Sequence, residues 1–189
     1  EGIAGAYAKA LNIDRPTTIL NVFPRSEREG HTPKDELERE KPSDVVSLYW
    51  YSQVIGPDRG LQDALRALPQ LDDHIHLSLR GTWMEGYQGE FMQLARSLDV
   101  VHRIHHLPPA PPEQLVERAA QHDVGLALEQ AHMRNRDLCV TNKLLAYLLA
   151  GLPVVATDTQ GQRGICGDLA KSTGLVPIGE SAALAGAVQ

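Results

Sequence analysis

The run Val140–Thr141–Asn142–Lys143 leads into the apolar stretch LLAYLLA, and its residue types suit the capture of an anion. Thr141 or Asn142 is a natural N-cap, and the first turn of a helix leaves backbone amides without internal partners. Those amides lie at the positive end of the helix dipole and can bind a phosphate. Lys143 adds a full positive charge at the same end, which is unfavourable unless an anion compensates it. The plain alternative is a capped helix whose lysine points to water. A second candidate is the loop Ser52–Gln53–Val54–Ile55–Gly56–Pro57–Asp58–Arg59–Gly60. Gly56 and Gly60 let the backbone approach a ligand, and Arg59 offers a planar fork for phosphate oxygens. A β–α turn with a solvent-facing arginine accounts for the same residues equally well.

The histidines raise a different chemistry. His74 and His76 share one face of a strand pattern, and His102, His105 and His106 lie close in sequence. No HExxH or Cys/His spacing accompanies them, so no metal is expected, and His74 and His76 read as the polar face of an outer strand. His105 and His106, at a strand's carboxyl end, are placed to touch a nucleotide base. Cys139 and Cys166 form no metal-like pair and read as free thiols in a reducing compartment, which places the chain in the cytoplasm. There is no GxxxxGK[ST] loop, no strand-linked GxGxxG and no GxSxG elbow. Asp158 follows a strand pattern, but one carboxylate there is weak evidence of a site.

The elements that must position these residues follow from periodicity. Ile3, Ala6, Tyr7, Ala10 and Leu11 repeat at helical spacing, and Thr17 to Val22 reads as a short strand. Residues 26–44 carry mixed charges with Gly30, Pro33 and Pro42 and form a solvated linker. Val45 to Tyr51 is a continuous apolar strand, and Leu61, Ala64, Leu65 and Leu68 share a helix face. Strands are then expected at Ile75–Leu79, Val100–Ile104, Val124–Leu128, Pro153–Ala156 and Leu175–Ile178. Helices are expected around Phe91–Leu98, in PPEQLVERAAQ, at Asn142–Ala150 and at Ser181–Val188. This alternation predicts an α/β protein with a doubly wound, Rossmann-like parallel sheet. Ligands in such sheets sit beyond the carboxyl ends of the strands, which singles out the loops after Ser52, Arg80, His105, Glu129 and Thr157.

Composition sets the limits. A chain of 189 residues with 42% hydrophobic residues holds one full α/β domain with some residues to spare. A net charge of −6 argues against nucleic acid as a partner, and no apolar run is long enough to span a bilayer. The chain opens on Glu1 and stops inside a helical pattern, so it reads as a piece of a larger protein.

The stretches GPDRGLQDALRAL, HLPPAPPEQLVERAAQHDVGLALE and TNKLLAYLLAGLPVVATDTQGQ resemble, in order and spacing, the carboxy-terminal donor-binding half of retaining GT-B-fold glycosyltransferases. The resemblance implies a nucleoside diphosphate sugar as ligand and a cleft shared with an amino-terminal acceptor domain. Residues 1–25 then correspond to the tail of that domain and the crossover, and 45–189 to the nucleotide-sugar-binding domain. It also implies no cofactor, no obligatory metal, and an acceptor that can be peripheral to a membrane. Arg59 falls where the family has the lysine of its KG pair, and Thr141, Asn142 and Lys143 fall at the helix start facing the phosphates. The donor-binding set is therefore Gly56, Arg59, Gly60, His106, Glu129, Thr141, Asn142 and Lys143. Two departures stand out: Ala146 and Leu138 occupy the positions of the family's paired glutamates, and Val54 that of an early arginine. Glu129 is the carboxylate available from a neighbouring loop. A hexosyltransferase inactive as an isolated half is the leading expectation. A nucleotide-sugar 2-epimerase and a degenerate, non-catalytic binding module are the alternatives.

Overall fold

The computed structural model describes residues 2–26 and 44–189. Most of the expected charged linker (27–43) lies outside the described residues. Six strands, β1 (Val46–Ile55), β2 (Ile75–Trp83), β3 (Ile104–Leu107), β4 (Val124–Ala127), β5 (Val154–Thr157) and β6 (Thr173–Val176), form one parallel sheet in the order β3-β2-β1-β4-β5-β6. The expected doubly wound sheet is therefore present. The helices are α1 (Gly2–Leu11), α2 (Leu61–Ala67), α3 (Tyr87–Ser97), α4 (Leu115–Ala119), α5 (Arg134–Leu138), α6 (Asn142–Ala150), α7 (Gln160–Asp168) and α8 (Ser181–Val188).

Each face of the sheet buries its own core. Leu48, Trp50, Leu77, Leu79 and Leu126 pack against α2, α3 and α8. Tyr49, Tyr51, Ala127, Val154 and Ala156 pack against α4, α6 and α7. Alternate residues of β1 thus serve opposite cores, which is why its sequence is apolar throughout. A fully buried leucine such as Leu48 or Leu77 stabilises the fold by about 2 kcal/mol.

Several elements differ from expectation for identifiable reasons. No regular structure forms over Thr17–Val22, where no strand among the described residues pairs with the segment. Val101–Arg103 is a 3-10 turn and the strand begins at Ile104, because Arg103 turns inward and donates to the carbonyls of Ile75, Leu68 and Asp72. β2 is not an outer strand: it lies between β3 and β1, and Ser78 on its polar face is buried against Ser47. β1 runs on to Ile55 through residues expected to form a loop. A bulge interrupts its pairing with β2, so that Ser52 and Gln53 stand opposite the single residue Gly81. Gly81 has φ +145, and a Cβ there would collide with the carbonyl of Ser52. Bulges re-aim side chains, and this one turns Ser52 and Gln53 toward a cavity at the strand ends.

Candidate functional site: the crevice between β1 and β4

β1 and β4 are hydrogen-bonded neighbours only at Leu48–Val124 and Tyr49–Gly125. Beyond those pairs both strands continue without a ladder between them. This divergence occurs where the strand order reverses, the position at which open α/β sheets hold ligands. A cavity of about 470 Å³ opens beside it, lined by Tyr51, Ser52, Gln53, Pro112, Leu115, Thr141, Asn142 and Lys143. Residues 21–24 of the amino-terminal segment close its outer side.

One wall is the start of α6. Thr141 is its N-cap, with extended backbone and a hydroxyl that accepts from the Lys143 amide at 3.4 Å. Gly151, at φ 80, ends the helix in the left-handed conformation suited to glycine. Lys143 does not point to water. Its Nζ donates to Glu129 Oε1 at 2.9 Å and lies 5.4 Å from the centre of the Trp50 ring. The two side chains are only 11% and 12% exposed, and Thr141 Oγ1 donates to the same carboxylate oxygen at 3.2 Å. Burial pushes the Glu129 carboxyl up, but the Lys143 charge, the hydrogen bonds from Lys143 and Thr141, and the Arg136 charge together hold it below the usual range. The charge conflict at the helix start is thus resolved by Glu129 from within the protein.

The loop from Gly56 to Gly60 does not line this cavity but meets the exit of β4 beside Glu129. Gly60 has φ +71, and a Cβ there would lie 2.6 Å from the Cβ and carbonyl oxygen of Leu128 and 2.8 Å from Gln130 Nε2. The glycine therefore lets this loop press against the exit of β4. Gly56 is different: a Cβ would make only ordinary contact with Met84, at 3.5 Å. Arg59 is half-buried beside Gly60. Arg136 Nη1 donates to the carbonyl of Asp58 at 2.7 Å and fastens the loop to α5.

Of the eight expected residues, Thr141, Asn142 and Lys143 line the cavity, Glu129 meets Thr141 and Lys143, and Gly60 packs against Leu128 and Gln130 with Arg59 next to it in the chain. Gly56 sits under Met84 at the far end of its loop. His106 is not among the cavity-lining residues. It donates from Nε2 to the Gly81 carbonyl at 2.8 Å, with its ring 5.6 Å from that of Trp83, on the opposite face of the sheet. Asp158, exposed, accepts from Arg163 at 2.8 Å.

Sequence reasoning missed Arg136, the helix α5 that carries it, and α7. α5 has no apolar repeat to betray it. α7 carries three glycines, yet its start was readable: Thr159 accepts from the Gln162 amide at 3.3 Å, a capping pattern visible as Thr-x-x-Gln. The amino end of α7 already holds a carboxylate, since the Gln160 amide donates to Asp137 at 3.0 Å. The start of α6 instead faces the cavity.

In fold this is a doubly wound parallel sheet with its crevice at the order reversal, the architecture of the solved glycosyltransferase structures to which it is similar. Among solved structures, the chain is similar to HepE of Anabaena in complex with UDP, with a TM-score of 0.76 and 20% identity over 97% of this chain and 50% of that one. It is also similar to WaaG, a glycosyltransferase involved in lipopolysaccharide biosynthesis (TM-score 0.68, 20% identity, 88% of this chain and 45% of that one). A third is the C-terminal domain of the group 1 glycosyl transferase LpcC from Francisella tularensis (TM-score 0.62, 14% identity, 78% of this chain and 74% of that one). The chain spans about half the length of HepE and WaaG. No protein-family model and no curated protein matches it.

Proposed function

We propose that this chain is the donor-binding half of a glycosyltransferase, holding a nucleoside diphosphate sugar whose glycosyl group passes to an acceptor on the amino-terminal half of the same protein. The observation that carries the reading is the convergence, at the exit of β4, of the cavity-facing start of α6 and the Gly60 loop bearing Arg59. The HepE complexes with UDP and with UDP-glucose support a uridine nucleotide as the first ligand to try.

In this reading the diphosphate rests on the amides opening α6, and Arg59 closes from the facing loop. Such fixed dipoles and charge stabilise the anion that develops as the nucleoside diphosphate departs. Lys143, already offset by Glu129, contributes geometry more than net charge. A hexosyl donor, a cytoplasmic setting, an acceptor peripheral to a membrane and inactivity of this half by itself belong to the same proposal. No helix of the described residues is long and apolar enough to cross a membrane.

The test is calorimetric titration of the chain with UDP-, GDP- and ADP-sugars, with Arg59→Ala beside it. One donor class should bind, and the variant should bind it about tenfold more weakly, the loss of one charge-assisted phosphate contact. A folded chain that binds none of them overturns the proposal. One feature favours a second reading, a binding module without catalysis: Ala146 is wholly buried, and no carboxylate stands there to take ribose hydroxyls. Transfer activity in the full-length protein would exclude that reading.

A further inference from the structure

At the outer edge of the sheet, on β2 and β3 rather than at the β1–β4 crevice, two imidazoles meet. In the β2–β3 register His105 stands opposite Ser78, and His76 lies two residues earlier on the same face of β2. His76 Nδ1 and His105 Nε2 are 2.7 Å apart, with ring centroids at 5.0 Å and planes within 13°. The other nitrogen of His76, Nε2, lies 3.1 Å from the Asp73 carbonyl. A carbonyl can only accept, so Nε2 carries the proton and Nδ1 presents its lone pair. That lone pair faces His105 Nε2, whose proton fills the gap between the rings.

We propose that His76 and His105 form a chelating pair for a borderline divalent transition ion such as Zn²⁺, Ni²⁺ or Cu²⁺. The fixed tautomer of His76, held by a backbone carbonyl behind it, is the arrangement that orients metal-ligating histidines in general. Metal–nitrogen bonds of about 2.0–2.1 Å put two ligating nitrogens roughly 2.9–3.4 Å apart, depending on the angle at the metal. The nitrogens therefore need to part by a few tenths of an ångström and each ring to turn in its plane so that both lone pairs leave the line between them and meet at one ion; both side chains are half-exposed at the rim of the sheet, where such turning is open to them. On binding, the bridging proton passes through solvent to His105 Nδ1, and both imidazoles stay neutral.

The surroundings set the limits of the site. Arg103 is the neighbouring cation, but its guanidinium is directed to the carbonyls of Ile75, Leu68 and Asp72, and it lies 3.8 Å from the fully exposed Asp73 carboxylate. His102 and His74 are exposed nearby. Burial first, and for His76 also the charges of His105, Arg103 and His102, lower the affinity of both rings for a proton. Among the described residues no group of three or more histidine, cysteine or carboxylate side chains is arranged to hold a metal. Water thus completes the coordination, and the ion exchanges freely. Nitrogen ligands without carboxylate exclude Mg²⁺ and Ca²⁺ as occupants.

This inference does not rest on the glycosyltransferase reading. It is tested by calorimetric titration of the chain with ZnCl₂, NiCl₂, CuCl₂ and MgCl₂ in a non-coordinating buffer near neutral pH. One equivalent of each transition ion should bind, Cu²⁺ most tightly, and Mg²⁺ should not. His76→Ala and His105→Ala should each weaken binding at least tenfold, whereas His74→Ala and His102→Ala should not change it. His105→Gln separates ligation from support of the sheet edge: glutamine can still hydrogen-bond to His76 but should lose the ion with unchanged thermal stability. Saturable binding that survives in His76→Ala or His105→Gln overturns the proposal, as does the absence of one-equivalent binding in the wild-type chain.

Discussion

Replacing Glu129 with glutamine isolates the interaction on which the crevice is built. The carboxylate meets Lys143 Nζ at 2.9 Å with both side chains about nine-tenths buried, so its loss leaves an ammonium group without an anion and largely without water. Breaking a buried pair from one side costs about 3–5 kcal/mol. The lower end applies here, because the amide oxygen can still accept from Lys143 and the Trp50 ring still faces the ammonium at 5.4 Å. A loss of about 3 kcal/mol should lower Tm by roughly 6–12 °C in a chain of this size. Urea titration with an unchanged m-value measures it directly. Removing both charges, as Glu129→Gln with Lys143→Met, should restore stability to within about 1 kcal/mol of wild type, since a buried pair gains little over apolar replacements. The folded carboxyl titrates below its unfolded value, so its stabilisation is present above that value and is lost as pH falls through the folded one. The acid limb of the stability profile should therefore flatten in Glu129→Gln. A single variant within about 0.5 kcal/mol of wild type would refute the argument, because surface ion pairs, not buried ones, behave that way. A double variant no better than the single would refute it too.

Two further substitutions probe the packing around the crevice. Gly60→Ala should cost about 2–4 kcal/mol, combining a strained positive φ with a Cβ 2.6 Å from Leu128, and should also weaken nucleotide binding; equal denaturation midpoints would count against the packed loop. Ala146→Glu puts a carboxylate at a fully buried position in the same core as Tyr51 and Tyr147, and should destabilise by about 3 kcal/mol by urea titration. A stable Ala146→Glu variant that binds UDP more tightly would show that the position opens to the ligand and that only a contact was lost.

Much of the framework was readable because periodicity reports burial. α6 and α8 appear over the expected residues, and β4 and β5 within a residue of expectation, since each is an apolar run bounded by caps or glycine. What failed was local chemistry overruled by partners distant in sequence. Arg103 looked like part of a strand and is instead drawn inward by three carbonyls, at Leu68, Asp72 and Ile75, that no nearby residue announces. Ser52 to Ile55 looked like a loop because its polar pair ends the apolar run, yet a bulge opposite Gly81 absorbs that pair and the strand continues. His106, at a strand end, donates from Nε2 to the Gly81 carbonyl on β2, a partner that its own strand does not announce.

Lys143 brings these two kinds of inference together. Sequence alone identified a real conflict, a cation at the positive end of a helix, but could not say what resolves it. The resolving group, Glu129, lies fourteen positions earlier in the chain and meets the lysine beyond the point where the β1–β4 ladder ends at Tyr49 and Gly125. A ligand for this crevice must then supply what Glu129 does not take. The opening amides of α6 remain at the cavity, and Arg136 is tied through Asp58 to the neighbouring loop that carries Arg59. A dianionic group suits such a mouth, whereas a single carboxylate already suffices at the start of α7, where Asp137 provides it. The contrast between these two helix starts, one closed by the protein and one facing a cavity, is the physical reason to seek an oligophosphate at α6.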